Sequence, residues 1–113
     1  MRFRFSNSTE VDINIQGQIE VPDGGGAVAI PATVVPANTT TNNPVVLDNI
    51  GEVNYNAAGT TIGLNVDVEG GIIAGQLRLV NDVWQENPVQ DALAIGRLPD
   101  FGEVLIVEVI YNG

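Results

Sequence analysis

The sequence predicts an all-β fold, an antiparallel β-sandwich or barrel (jelly-roll-like) of about seven to nine strands. Three observations carry this expectation. Residues 60–80 alternate Ile62, Leu64, Val66 and Val68 with Gly63, Asn65, Asp67 and Glu69, the period-2 signature of a half-buried strand, and continue into a second apolar run, Ile72 to Val80. Residues 10–21 repeat the pattern, with Val11, Ile13, Ile15, Ile19 and Val21 set against Asp12, Asn14, Gln16, Gln18 and Glu20. Short apolar segments elsewhere are separated by Gly, Pro, Asn and Asp, which punctuate strands.

The first of these segments sets a register. Gly70-Gly71 can supply the two positive φ angles of a tight hairpin. A turn there pairs Glu69 with Ile72, Val68 with Ile73, Val66 with Gly75, Leu64 with Leu77 and Ile62 with Leu79. All four pairs beyond the first then lie on one apolar face, and Asp67, Asn65, Gln76 and Arg78 face water.

At 113 residues the chain has the length of one domain, 1–113. Met1-Arg2-Phe3-Arg4-Phe5 alternates arginine with phenylalanine. It reads as an edge strand or, together with residues up to 9, as an N-terminal arm; no apolar h-region follows, so no signal peptide is expected. The strand over 10–21 would be about 35–40 Å long if straight, and Gly17 on its apolar face marks a bulge or bend. Pro22-Asp23-Gly24-Gly25-Gly26 is a turn, without the lysine and helix that a phosphate loop needs. Ala27–Ile30 and Thr33–Val35 are strands divided by Pro31. Pro36 to Pro44 has almost nothing to bury and reads as an exposed loop, the kind of place where partners are met. Val45–Leu47 and Glu52–Tyr55 are short strands, and Asn56 to Gly59 leads into the hairpin.

Asn87-Pro88-Val89-Gln90 combines an N-cap, a proline at the first helical position and a glutamine three residues after the cap, and Gly96 suits the C′ position. This predicts a short helix near Pro88–Ile95. Trp84 reads as a core plug. The last strand, Glu103 to Tyr111, contains the continuous run Val104-Leu105-Ile106-Val107 and should be covered on both faces, by the helix or by another subunit.

Composition narrows the function. Fourteen acids oppose four arginines, with no lysine and no histidine, for a net charge of −10. Nucleic acid and anionic membranes would be repelled by such a surface. The charge keeps a β-protein dispersed, and it also suits a high-salt setting, although charged residues make up only 16% of the chain. Without cysteine there are no disulfides and no zinc–thiolate site. Ser6 and Ser8 are the only serines and have no histidine to activate them, so no catalytic residue is assigned and the chain is expected not to be an enzyme. Asp67 and Glu69 would lie about 7 Å apart on one strand face, a solvated face and not a cleft. Asp23, Asp48, Asp67, Glu69 and Asp82 are hard oxygen donors, but no calcium-loop pattern joins them, so no metal or cofactor is assigned. Asn7-Ser8-Thr9 and Asn38-Thr39-Thr40 fit the glycan-acceptor pattern by chance.

The start Met1-Arg2-Phe3-Arg4-Phe5, the Gly/Asn/Thr/Val-rich strands, the lack of cysteine and the closing strand at Tyr111-Asn112-Gly113 give a chain that resembles the small accessory virion proteins of tailed viruses, of the capsid decoration or cement type. The resemblance is one of style along the whole length. It implies a virion structural protein, a homo-oligomer with a trimer favoured, that docks on the major capsid protein or another virion protein. The contacts it implies are Arg2, Phe3, Arg4 and Phe5 on the arm and Asn38, Thr39, Thr40 and Thr41 in the loop. The competing reading is an extracellular β-sandwich binding module for a carbohydrate or a cell-surface partner, with calcium as an option. Three Phe, two Tyr and one Trp leave that module few rings for stacking on sugars.

Overall fold

A computed structural model of the chain describes residues 1–22, 26–51, 59–80, 83–86, 92–98 and 105–113, with the backbone alone of Val83, Trp84 and Glu86. Its strands are β1 (Arg2–Asn7), β2 (Ile13–Val21), β3 (Gly26–Val35), β4 (Val45–Leu47), β5 (Thr61–Val68), β6 (Gly71–Val80), β7 (Val83–Glu86), β8 (Leu93–Arg97) and β9 (Ile106–Tyr111). They form a four-stranded sheet, order β4-β1-β9-β8, packed on a five-stranded sheet, order β3-β2-β5-β6-β7. Both sheets are open, so the fold is a sandwich and not a closed barrel. All strand pairs are antiparallel except β1 with β9, which run parallel, a departure from a jelly roll.

Alternation decides which residues meet between the sheets. Ile13, Ile15 and Ile19 of β2 are buried, while Asn14, Gln16, Gln18 and Glu20 are exposed. Ile62, Leu64 and Val66 of β5 join them, as do Leu77 and Leu79 of β6. From the opposite sheet come Phe3 and Phe5, Leu93 and Ile95, and Val107, Val109 and Tyr111. Phe3 and Phe5 have ring centroids 6.0 Å apart, within the favourable range for aromatic pairs.

The β5–β6 hairpin is present, but its register differs from expectation by two residues. The turn is Glu69-Gly70, not Gly70-Gly71, and Val68 pairs with Gly71, Val66 with Ile73, Leu64 with Gly75 and Ile62 with Leu77. Glu69 and Gly70 have φ of 51° and 88°, the two left-handed positions of a primed turn. The Asp67 carboxylate accepts the Gly70 N–H at 2.9 Å and stabilises this geometry. A two-residue slip leaves every side chain on its expected face.

Residues 26–35 are one strand, not two. Ile15 pairs with Thr33 but Gly17 with Ile30, so Pro31 and Ala32 together oppose Gln16 in a β-bulge. The bulge lets the inward parity of β3 change from Val28 and Ile30 to Thr33 and Val35, matching the unbroken parity of β2. Proline is tolerated there because β3 is an edge strand and Pro31 sits in the bulge. The irregularity expected at Gly17 is therefore real, and it falls on the partner strand.

Two further expectations are corrected. No helix occupies residues 88–95: Leu93–Arg97 is strand β8, no helix occurs among the described residues, and the capping sequence 87–91 lies outside them. Leu93 and Ile95 alternate inward and pair with Tyr111 and Val109, and that burial outweighs a local capping signal. Residues 1–9 are not a free arm: β1 is hydrogen-bonded to both β4 and β9, with Phe3 and Phe5 fully buried. Leu105, just before β9, and Val107, Val109 and Tyr111 within it are buried, while Ile106, Glu108 and Ile110 stay half-buried on the outer face, which no helix covers among the described residues. The strand expected at 52–55, most of the turn at 56–59 and the side chain of Trp84 lie outside the described residues.

Candidate functional site

Outward residues of the five-stranded sheet assemble into rows that cross it. Val34, Asn14, Asp67 and Ile72 form one row. Gln16, Asn65 and Ala74 form the next, with Pro31 and Ala32 of the bulge at its edge. Ala29, Gln18, Gly63 and Gln76 form the third, and Ala27, Glu20, Thr61, Arg78 and Gln85 the fourth. The two middle rows bear no ionisable side chain. They floor an open cleft of about 750 Å³ whose walls are the amides of Gln16, Gln18, Asn65 and Gln76. Small residues hold the floor low: a Cβ on Gly63 would meet no atom within 4 Å. The bulge bends the edge strand beside the cleft. Charge returns only at the margins, through Asp67 on one side and Glu20 and Arg78 on the other. Val34 and Ile72, each 58% exposed, end the first row.

The residues singled out from the sequence lie on the other sheet. Arg2 and Arg4 project from its outer face, half-buried, while Phe3 and Phe5 belong to the core and are not available as contacts. Arg2 pairs with Asp48 through two hydrogen bonds, 3.0 and 3.2 Å. The hydrogen bond with Arg2 holds the Asp48 carboxyl below its ordinary value, and Asp48 raises Arg2 in return. Arg4 donates to the Thr41 carbonyl at 3.3 Å and ties down the loop after β3.

That loop is organised. Asn38 has φ of 59°, the Asn7 N–H donates to the Thr39 carbonyl at 2.8 Å, and the Asn38 N–H donates to the Thr9 carbonyl at 2.9 Å. Asn38, Thr39, Thr40 and Thr41 thereby fold over the end of β1. They line a second pocket with Ser6, Ser8, Ile110 and Asn112, about 350 Å³ in volume. Asn7 itself is fully buried, and its amide reaches the carbonyls of Val11, Val35 and Pro36 at 2.7, 3.2 and 3.3 Å. A side chain so engaged cannot accept a glycan; Asn38 is exposed.

The carboxylates do not form a catalytic or metal-binding set in the described residues. Glu69 sits in the turn and not on the strand face with Asp67, which removes the pair expected there. No group of three or more His, Cys, Asp or Glu side chains among the described residues could share an ion, and Asp23 and Asp82 lie outside them. No helix of the described residues is long and apolar enough to cross a membrane.

Neither the cleft nor the Ser6 pocket has a signature in one stretch of sequence. The cleft combines outward residues of four strands, each of which reads alone as an ordinary wet face. Compared with known proteins, the chain matches no family model, no curated protein and no solved structure.

Proposed function

We propose that the chain is a non-enzymatic virion structural protein of the capsid decoration or cement type, which binds a capsid lattice through the outer face of its five-stranded sheet and stabilises it. The observation that carries the proposal is a contrast in charge. The molecule has a net charge of −10, yet two adjacent rows across this face carry no ionisable side chain. The cores of protein interfaces are depleted in charge in the same way. Small residues at Gly63, Ala74, Ala29 and Ala32 allow a partner's backbone to approach, and the four amides offer hydrogen bonds that need no ion pair. Val34 and Ile72 add apolar area at one end. The partner is the major capsid protein or another virion protein, and the assembled form is a homo-oligomer, a trimer in keeping with the resemblance of the sequence.

The test uses capsids of the source virus stripped of accessory proteins. The wild-type chain should pellet with them and Gly63→Arg should not, since the added side chain enters open space in the cleft without disturbing the core. Light scattering on the free chain at low and molar salt reports the oligomer. A wild-type chain that stays in the supernatant removes the proposal.

A second reading is favoured by the amides alone. Gln16, Gln18, Asn65 and Gln76 could receive a neutral glycan along the same cleft, as the binding-module reading requires. Binding on a glycan array that Gly63→Arg abolishes, without capsid attachment, would replace the first reading by this one.

A further inference from the structure

We infer that the pocket over the end of β1 is a binding site for one small, uncharged, polyhydroxylated ligand, of the class of a neutral hexose. Two observations meet here. The first is the pocket itself, about 350 Å³, within the size range of small-molecule sites. The second is Ser6. Ser6 is only 4% exposed, it lines the pocket, and its Oγ has no hydrogen-bond partner among the described residues. A buried hydroxyl without a partner costs free energy, so such groups are nearly always satisfied by protein, water or ligand.

The chemistry of the lining selects the ligand. An anion would find no cationic side chain among the lining residues, on a molecule that is itself strongly acidic. A calcium ion would find no carboxylate there. A wholly apolar molecule would leave Ser6 Oγ without a partner, strip water from Thr40 and Thr41 and return nothing. A polyol offers hydroxyls that both donate and accept, as Ser6 Oγ does, and Ile110 gives its C–H face an apolar seat. The wall is held from outside the pocket, by the Arg4 bond to the Thr41 carbonyl and the Asn7–Thr39 backbone bond. The site stands on the sheet opposite the docking cleft and does not depend on it.

The experiment is an amide-resolved NMR titration of the whole chain with glucose, galactose and mannose, and with sodium sulfate and calcium chloride as charged controls. At least one hexose should give saturable shifts confined to Ser6, the residues 38–41 and Asn112, with Kd of roughly millimolar order. Ser6→Val replaces the hydroxyl of this lining residue by methyl groups and should weaken binding at least about tenfold. Should that variant fail to fold, Thr40→Arg blocks the mouth from an exposed position and should have the same effect. A confined response to sulfate or calcium instead would overturn the ligand class. Linear, scattered shifts with every hexose, alongside a long-lived water signal at Ser6, would mean a structural water only and overturn the site.

Discussion

Gly17 and Gly63 approach so closely across the β2–β5 pair that a methyl group on Gly17 would overlap the Gly63 carbonyl oxygen. The obstruction is backbone, which cannot turn aside as a side chain can. Gly17→Ala must therefore push two central strands of one sheet apart, at a cost of about 3 kcal/mol, the upper end of ordinary overpacking. Gly63→Ala points its methyl into open space on the cleft side and should change stability by no more than about 0.5 kcal/mol. Urea unfolding of the two variants checks the contrast. Equal stabilities would mean that β2 and β5 are not packed as described.

Gly75 has the same role between the sheets, in softer form. A Cβ there would lie 2.5 Å from Ile95 Cδ1 and 2.8 Å from Leu93 Cδ2. Both obstacles are side-chain ends, but they belong to buried residues with little room to move. Gly75→Ala should cost about 1–2 kcal/mol, less than Gly17→Ala, again by urea unfolding. The two-residue slip in register places Gly75 opposite Leu64, and not opposite Val66 as expected.

That slip shows where the sequence stops informing. Its period-2 pattern identifies the strands and their faces, because burial requires alternation, and a slip of two residues preserves alternation. It does not say that Glu69 will take a left-handed φ, an arrangement that costs about 1–2 kcal/mol for an ordinary residue. Glu69→Asn gives the turn a residue that tolerates this conformation, and should raise stability by about 0.5–1 kcal/mol. A thermal melt that is unchanged or lower for Glu69→Asn would contradict the Glu69-Gly70 turn.

The Arg2–Asp48 pair predicts a local pH dependence. The folded chain holds Asp48 below its ordinary value, so the pair contributes to stability above the unfolded value of about 3.8 and loses that contribution as pH falls through the lower folded value. The pair is exposed and screened, so the effect belongs to the titration curve and not to the global melt. NMR titration of the Asp48 carboxyl should give a midpoint below that of an ordinary aspartate, and Arg2→Gln should move it upward. An unmoved midpoint in the variant would remove Arg2 as the cause.

Other features were illegible for a different reason: they depend on contacts far apart in the chain. The parallel pairing of β1 with β9 joins the two ends of the sequence, and nothing local in Met1 to Phe5 distinguishes a central strand from an arm. Asn87-Pro88 offers good helix-capping chemistry, yet the alternating Leu93 and Ile95 find partners in β9 and the strand prevails. Of the candidate contacts, Asn38 to Thr41 do line a pocket, but Ser6, which lines it with them, reads in the sequence only as a serine without a histidine.

Asn7 shows why the pocket has a fixed shape. Its amide NH₂ reaches the carbonyls of Val11, Val35 and Pro36, and its oxygen accepts the Thr9 N–H at 3.0 Å and the Thr9 hydroxyl at 2.6 Å. One buried side chain thus joins the end of β1, the turn toward β2 and the end of β3, just where the 36–44 loop departs. Asn7→Asp keeps the shape but exchanges the donor for oxygens that face three carbonyls, and should cost about 3 kcal/mol or more, as expected when a buried polar network loses its partners. Thr9→Ala removes only the hydroxyl that donates to the Asn7 oxygen, leaves the Thr9 N–H bond in place, and should cost about 1 kcal/mol. Urea unfolding measures both, and NMR of the Thr39 to Thr41 amides reports whether the loop lets go. If Asn7→Asp proves as stable as the parent chain with those amides unmoved, the network does not hold the loop, and the wall of the Ser6 pocket must be set by Arg4 and the backbone bridge to Thr39.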